Sequence, residues 1–142
     1  MRINDVTRHK GTDVVTIAPD ASVGDLLDLL SRNGIGAVVV SQDGRAVEGI
    51  VSERDVVRHL QARGAGIIDA PVAEIMTSEV STCAPTDDVE QLMRQMTELR
   101  VRHVPVVEDG VLHGIVSIGD LVKHRIDELQ SERDQLTAYI TS

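Results

Sequence analysis

The chain carries one pattern twice. Val14 to Val57 and Val80 to Val122 each read as a short apolar strand, a helix, an apolar strand, a turn, a further apolar strand and a helix opened by serine. Pro19 matches Pro85, Val23 matches Val89, Ile35 matches Val101, Val40 matches Val106 and Gly44 matches Gly110, all at an offset of 66. The offset then falls to 65, with Gly49 on Gly114, Ser52 on Ser117 and Asp55 on Asp120, which places one extra residue of the first half near Ala46. A period this long signals a tandem of small domains rather than a solenoid. Neither half, at roughly 60 residues, is more than marginally stable alone, so the two are expected to pack on each other and to enclose a cleft with an approximate two-fold axis. The expected fold is α/β (α+β), two βαββα repeats packed as a pseudo-two-fold pair with an extended C-terminal helix. The expected boundaries are an N-terminal segment at 1–13, repeats at 14–63 and 80–124, a linker at 64–79 and a helical tail at 125–142.

Local chemistry places the elements. Ser22 with Asp25 reads as a capping box for a helix whose apolar face is Val23, Leu26, Leu27 and Leu30, with Gly34 as its C-cap. Val14 to Ile17, Ala37 to Val40 and Val47 to Val51 read as strands, the last two joined by Gln42-Asp43-Gly44-Arg45. In the second half, Val80 to Cys83 reads as a strand, Asp87 to Leu99 as a helix, and His103 to Val107 with Val111 to Val116 as a hairpin. The last helix is expected to run on to about Tyr139, with Val122, Ile126, Leu129, Leu136 and Ile140 on one stripe that Arg133 interrupts.

Composition removes several function classes. Tyr139 is the only aromatic residue and the net charge is -9. A chain that lacks stacking surface and a cationic surplus is poorly suited to nucleic acid. No stretch approaches membrane-spanning length and Met1 to Lys10 is polar and charged, so no membrane partner is expected and the cytoplasm is the default location. The five histidines and the single Cys83 show no metal-ligand spacing, and no nucleophile, base and orienting group come together, so neither a metal nor an enzyme activity is expected. Cys83 and the methionines Met76, Met93 and Met96 read as core residues.

The repeated motif is where chemistry concentrates. Ser52-Glu53-Arg54-Asp55 and Ser117-Ile118-Gly119-Asp120 each follow a Gly-Ile-Val-Ser run and open a helix. There, free backbone N–H groups attract a phosphate, and a carboxylate can accept hydrogen bonds from a ribose diol. Read singly, each is also an ordinary capping box. Two βαββα copies with this doubled turn resemble a tandem pair of CBS domains, over roughly Val14 to Lys123. The resemblance implies a disc-like regulatory module that binds an adenine-containing ligand (AMP, ADP, ATP, NAD(H) or S-adenosylmethionine) in its central cleft and signals to an effector protein. Carried over by position, the second-half site is Thr82, Cys83, Val101, Arg102, His103, Pro105, Ser117 and Asp120. The first-half site is Thr16, Gly36, Ala37, Ser52, Arg54 and Asp55. Lys10, just ahead of Gly11 and the first strand, reads equally as a further phosphate partner or as a solvated surface lysine.

Arg102 and His103 replace Gly36 and Ala37 of the first half and supply charge, which favours a phosphorylated ligand over a sulfonium. Pro105 is expected to leave a strand edge open beside the base. A homodimer is expected, with the stripes Val23, Leu26, Leu30 or Val89, Leu92, Met93, Met96, together with the tail helix, as candidate faces. The alternative reading is a structural dimerisation module with an empty cleft.

Overall fold

The computed structural model describes residues 1–10 and 14–141. The chain runs α1 (Ile3–Lys10), β1 (Thr16–Ile17), α2 (Val23–Asn33), β2 (Ala37–Val40), β3 (Gly49–Ser52), α3 (Glu53–Arg63), two 3-10 turns (Ala65–Asp69 and Val72–Glu74), α4 (Val89–Leu99), β4 (His103–Glu108), β5 (Val111–Ser117) and α5 (Ile118–Thr141).

The first half follows its local signals. Ser22 Oγ accepts from the Asp25 N–H at 3.0 Å while the Ser22 N–H donates to Asp25 Oδ2 at 3.3 Å, so α2 opens on a complete capping box. It closes at Gly34, whose φ of 60° is left-handed. Val23, Leu26 and Leu30 turn inward, and Leu27 stays exposed. Strand β2 lies between β1, to which it is parallel, and β3, to which it is antiparallel. This central place is why all four residues of Ala37-Val38-Val39-Val40 are buried. In the loop that follows, the Ala46 and Arg45 N–H groups donate to Asp43 Oδ1 and hold its carboxyl below the ordinary range.

The second half departs from expectation at its first strand. Val80 to Cys83 forms no strand. Cys83 makes a single parallel bridge to Val106, with the Cys83 N–H donating to the Pro105 carbonyl at 3.0 Å and the Val107 N–H to the Cys83 carbonyl at 2.8 Å. The equivalent strand β1 extends one pair further, Thr16 opposite Val39. Pro105 stands at the position of Val39, and without an N–H it cannot supply the next rung. The same proline was expected to leave an open edge for a base. It is instead buried, with that edge occupied by the Cys83 segment.

The core is built by exchange. Ile3 and Val6 of α1 are fully buried in the second-half core, among Val89, Leu92, Met96, Val104 and Leu121. Ile67, Val72 and Ile75 of the connecting segment are buried in the first-half core. The backbone repeats the arrangement. Ile3 N–H donates to Asp87 O and Asn4 N–H to Pro85 O, while Val72 N–H donates to Ala21 O and Ala73 N–H to Pro19 O. Each half is therefore completed by the segment that precedes the other. The stretch Gly64 to Pro71 is part of this packing, not a bare tether.

Helix α5 runs unbroken from Ile118 to Thr141. Its first turns lie on α4 and α1 through Leu121, which is fully buried, and through ion pairs from Arg125 to Glu90 and from the Met1 amino group to Glu128. The stripes Val23, Leu26, Leu30 and Val89, Leu92, Met96 are buried in their own cores, so they offer no face to a second molecule.

Candidate functional site

Strand β3 passes directly into α3, and Ser52 is at once the last strand residue and the helix N-cap. Its N–H donates to Asp55 Oδ2 at 2.8 Å and its Oγ donates to the same oxygen at 3.1 Å. Asp55 is buried, and Oδ1 takes no part in these bonds. The second half repeats the device, with Ser117 N–H donating to Asp120 Oδ2 at 3.0 Å and Asp120 N–H to Ser117 Oγ at 3.1 Å. Both motifs are therefore real capping boxes.

Each aspartate also lines a cavity. The first, about 240 Å³, is bounded by Gly36, Ala37 and Ser52 to Asp55 from the first half, and by Val80, Ser81 and Arg100 to His103 from the second. The second, about 430 Å³, is bounded by Ser117, Asp120 and His103 together with Val14, Val15, Gly34 to Ala37 and Thr7. The two are related by the repeat, since Val14 matches Val80, Gly34 matches Arg100 and Gly36 matches Arg102. Gly36, Ala37 and His103 line both.

The residues thus group across the halves, not within them. Arg102 and Val101 were expected beside Ser117 and Asp120; the structure sets them in the cavity of Asp55, with Ser52 and Arg54. Of these second-half residues, His103 alone lines both cavities. Thr16, Thr82, Cys83 and Pro105 line neither cavity. The side chain of Lys10, at the end of α1, lies outside the described residues. Cys83 belongs to the second core, where burial, followed by the Asp87 charge, pushes its thiol up to about 12. We expect it to resist thiol reagents at pH 8 in the folded chain and to react at once in denaturant. The unfolded thiol ionises near 9 and the folded one near 12, so the folded state holds a proton that the unfolded one has lost between these values. Stability should therefore fall as pH rises through that window.

Arginine marks the Asp55 cavity. Arg54, Arg58, Arg100 and Arg102 all line it, facing the carboxylates Glu53, Asp55 and Glu79, and none of the four is in an ion pair or side-chain hydrogen bond with a described residue. Arg54 and Arg102 are among the site residues that the sequence predicts. Arg58 follows Arg54 by four residues on α3, a spacing that keeps both on one helix face. Arg100 was visible as the counterpart of Gly34. It holds a left-handed φ of 57° at the end of α4, where glycine is the favoured residue. The cavity wall formed by Thr77 and by Glu79 to Ser81 is positioned by reciprocal backbone bonds between Ile50 and Thr77 at 2.9 Å. Gly49 permits this approach, since a Cβ there would lie 2.6 Å from Met76 Sδ.

The CBS domain model matches residues 3–62 and 72–127. The chain belongs to the CBS domain family. Both matches begin at the exchanged segments, at Ile3 and Val72. The chain is 35% identical, over 97% of its own length and 71% of the relative's, to the mitochondrial CBS domain-containing protein CBSX3 of Arabidopsis thaliana. Among solved structures it resembles the CBS-domain protein ATU1752 of Agrobacterium tumefaciens, with a TM-score of 0.84 and 45% identity over 88% of this chain and 99% of that one. It also resembles the CBS domain protein PAE2072 of Pyrobaculum aerophilum complexed with AMP, with a TM-score of 0.75 and 28% identity over 84% and 89% of the two chains. No helix among the described residues is long and apolar enough to cross a membrane, and no group of described side chains is placed to hold a metal ion.

Proposed function

We propose that this CBS pair is a regulatory module that binds a phosphorylated adenine ligand of the AMP, ATP or NAD(H) type, without turnover, and reports its occupancy to an effector protein as a homodimer. The observation that carries this is the Asp55 cavity. Four arginines without described partners surround a helix N-terminus and a buried carboxylate, in a chain whose net charge is -9. Such a concentration of cations against the charge of the whole suits an anion. Asp55 would accept from the ribose hydroxyls, while Arg54, Arg58 and Arg102 and the first turn of α3 would hold phosphate. The complex of PAE2072 with AMP supports the ligand class. The Asp120 cavity repeats the carboxylate and serine but has no guanidinium among its described lining residues, so it is the weaker site for an anion.

The second reading, a structural module with no ligand, is favoured by one observation: both Ser and Asp pairs are satisfied as caps. A thermal-shift screen with AMP, ATP, NADH and S-adenosylmethionine separates the two. The phosphorylated ligands should raise the melting temperature, and less so as salt increases. No shift with any of them would leave the structural reading, and a shift with S-adenosylmethionine alone would remove the anion subsite.

Arg100 supplies a test in which stability and binding move in opposite directions. An L-residue in the left-handed region costs roughly 1 kcal/mol that glycine does not incur. Arg100→Gly is therefore expected to stabilise the fold by about that amount, a rise of about 3 °C in melting temperature, while weakening ATP binding. Calorimetry of the ligand-free variant and titration with ATP check the two halves of this expectation.

A further inference from the structure

We propose that α5 is where two copies of this chain meet, its exposed seam pairing antiparallel with the same helix of a second copy. This rests on the homodimer proposed above and adds its surface and direction. Val122, Ile126, Leu129, Arg133, Leu136 and Ile140 follow one another in steps of four, three, four, three and four. That is the a/d spacing of a coiled coil, narrower than the stripe of a helix lying on a core. The apolar members are exposed by 38%, 49%, 47%, 63% and 78% in chain order. The face that packs on α4 and α1 is a different one, centred on the fully buried Leu121. The seam therefore points away from its own domain, and it extends about 27 Å.

Arg133 decides the occupant and the direction. In a parallel pair it would face its own copy across the seam, two cations opposed in a partly desolvated place. An antiparallel pair sets Val122 against Ile140, Ile126 against Leu136, and Leu129 against Arg133 of the second copy. Every layer is then apolar on apolar, except the two in which Arg133 meets a leucine. There its guanidinium, which pairs with Asp134 of its own chain at 3.3 Å, is within reach of Glu132 of the second copy, which brings a further carboxylate to each cation. The helix is thus complementary to itself in one direction only, which commits the surface to a second copy of this chain.

The test is sedimentation equilibrium of the full chain at tens of micromolar, where twice the chain mass is expected. Leu136→Glu with Ile140→Glu, at residues exposed by 63% and 78% and so outside the core of the single chain, should weaken the dimer at least tenfold while each chain keeps its fold, as circular dichroism reads. Arg133→Leu should tighten it by a similar factor. For direction, a mixture of the Leu129→Cys and Arg133→Cys chains should cross-link to each other on mild oxidation, with the buried and protonated Cys83 taking no part. A monomeric wild type overturns both this inference and the homodimer. A dimer unaffected by the double glutamate variant overturns the inference alone, as does cross-linking of Leu129→Cys only to itself. Nucleotide binding is read in a separate assay and is not decided by any of these outcomes.

Discussion

Asp55→Ala is expected to cost roughly thirtyfold to a thousandfold in ATP or AMP affinity. Loss of two charge-assisted hydrogen bonds to a ribose diol corresponds to about 2 to 4 kcal/mol. The same substitution opens the α3 capping box, for about 1 kcal/mol of fold stability. The two effects separate when affinity is measured by titration calorimetry well below the melting temperature of the variant. Asp120→Ala is the matched control. It breaks an equivalent capping box at the start of α5 and so should lose similar stability, but its cavity lacks the arginines of the first, so the loss in ATP affinity should be several times smaller. Equal losses of affinity at the two positions would mean that the guanidinium groups do not choose the site. A 2′,3′-dideoxy nucleotide checks the contact itself. It should bind the wild type poorly and distinguish little between wild type and Asp55→Ala, and equal discrimination by both against the missing hydroxyls would remove Asp55 from the ribose.

That control is the reverse of the one the sequence suggests, and the reason is physical. Sequence repeats reveal which positions are equivalent, so Ser52 and Asp55, Ser117 and Asp120, both α2 caps and the full length of α5 could all be read from spacing and capping chemistry. They do not reveal which copy's strand faces which copy's helix. Arg102 follows α4 in the chain and its carbonyl accepts from Ile118 N–H at 2.8 Å, close to the Asp120 helix start, yet its side chain lines the cavity on the other side. Direction across a two-fold axis is a property of packing that no local pattern encodes. Pro105 illustrates the same limit from the opposite side. Its missing N–H was legible, but whether the edge beside it would be open or occupied depended on where Cys83 lies.

The exchanged segments were the largest feature that the pattern hid, and they carry the largest expected effect on stability. Met1 to Lys10 offers only two apolar side chains in its helix, Ile3 and Val6, too few to stand out by periodicity against eight mostly polar neighbours. Both are fully buried, and Ile3 N–H and Asn4 N–H are bonded to carbonyls on the entry to α4. Ile3→Ala should therefore cost about 2 to 5 kcal/mol, the range for truncating a large buried side chain into a cavity. A surface segment would lose no more than about 0.5 kcal/mol. Val72→Ala, in the equivalent place on the first core, should destabilise in the same direction but less, because fewer methylenes are removed. Urea denaturation of both variants measures this, and amide exchange locates it. In Ile3→Ala the loss of protection should concentrate in α4, β4 and β5, and in Val72→Ala in α2, β2 and β3. Loss of protection in the first half on Ile3→Ala, with α4 unchanged, would contradict the exchange, since Ile3 would then be supporting the half that follows it in sequence and not the one against which it is buried.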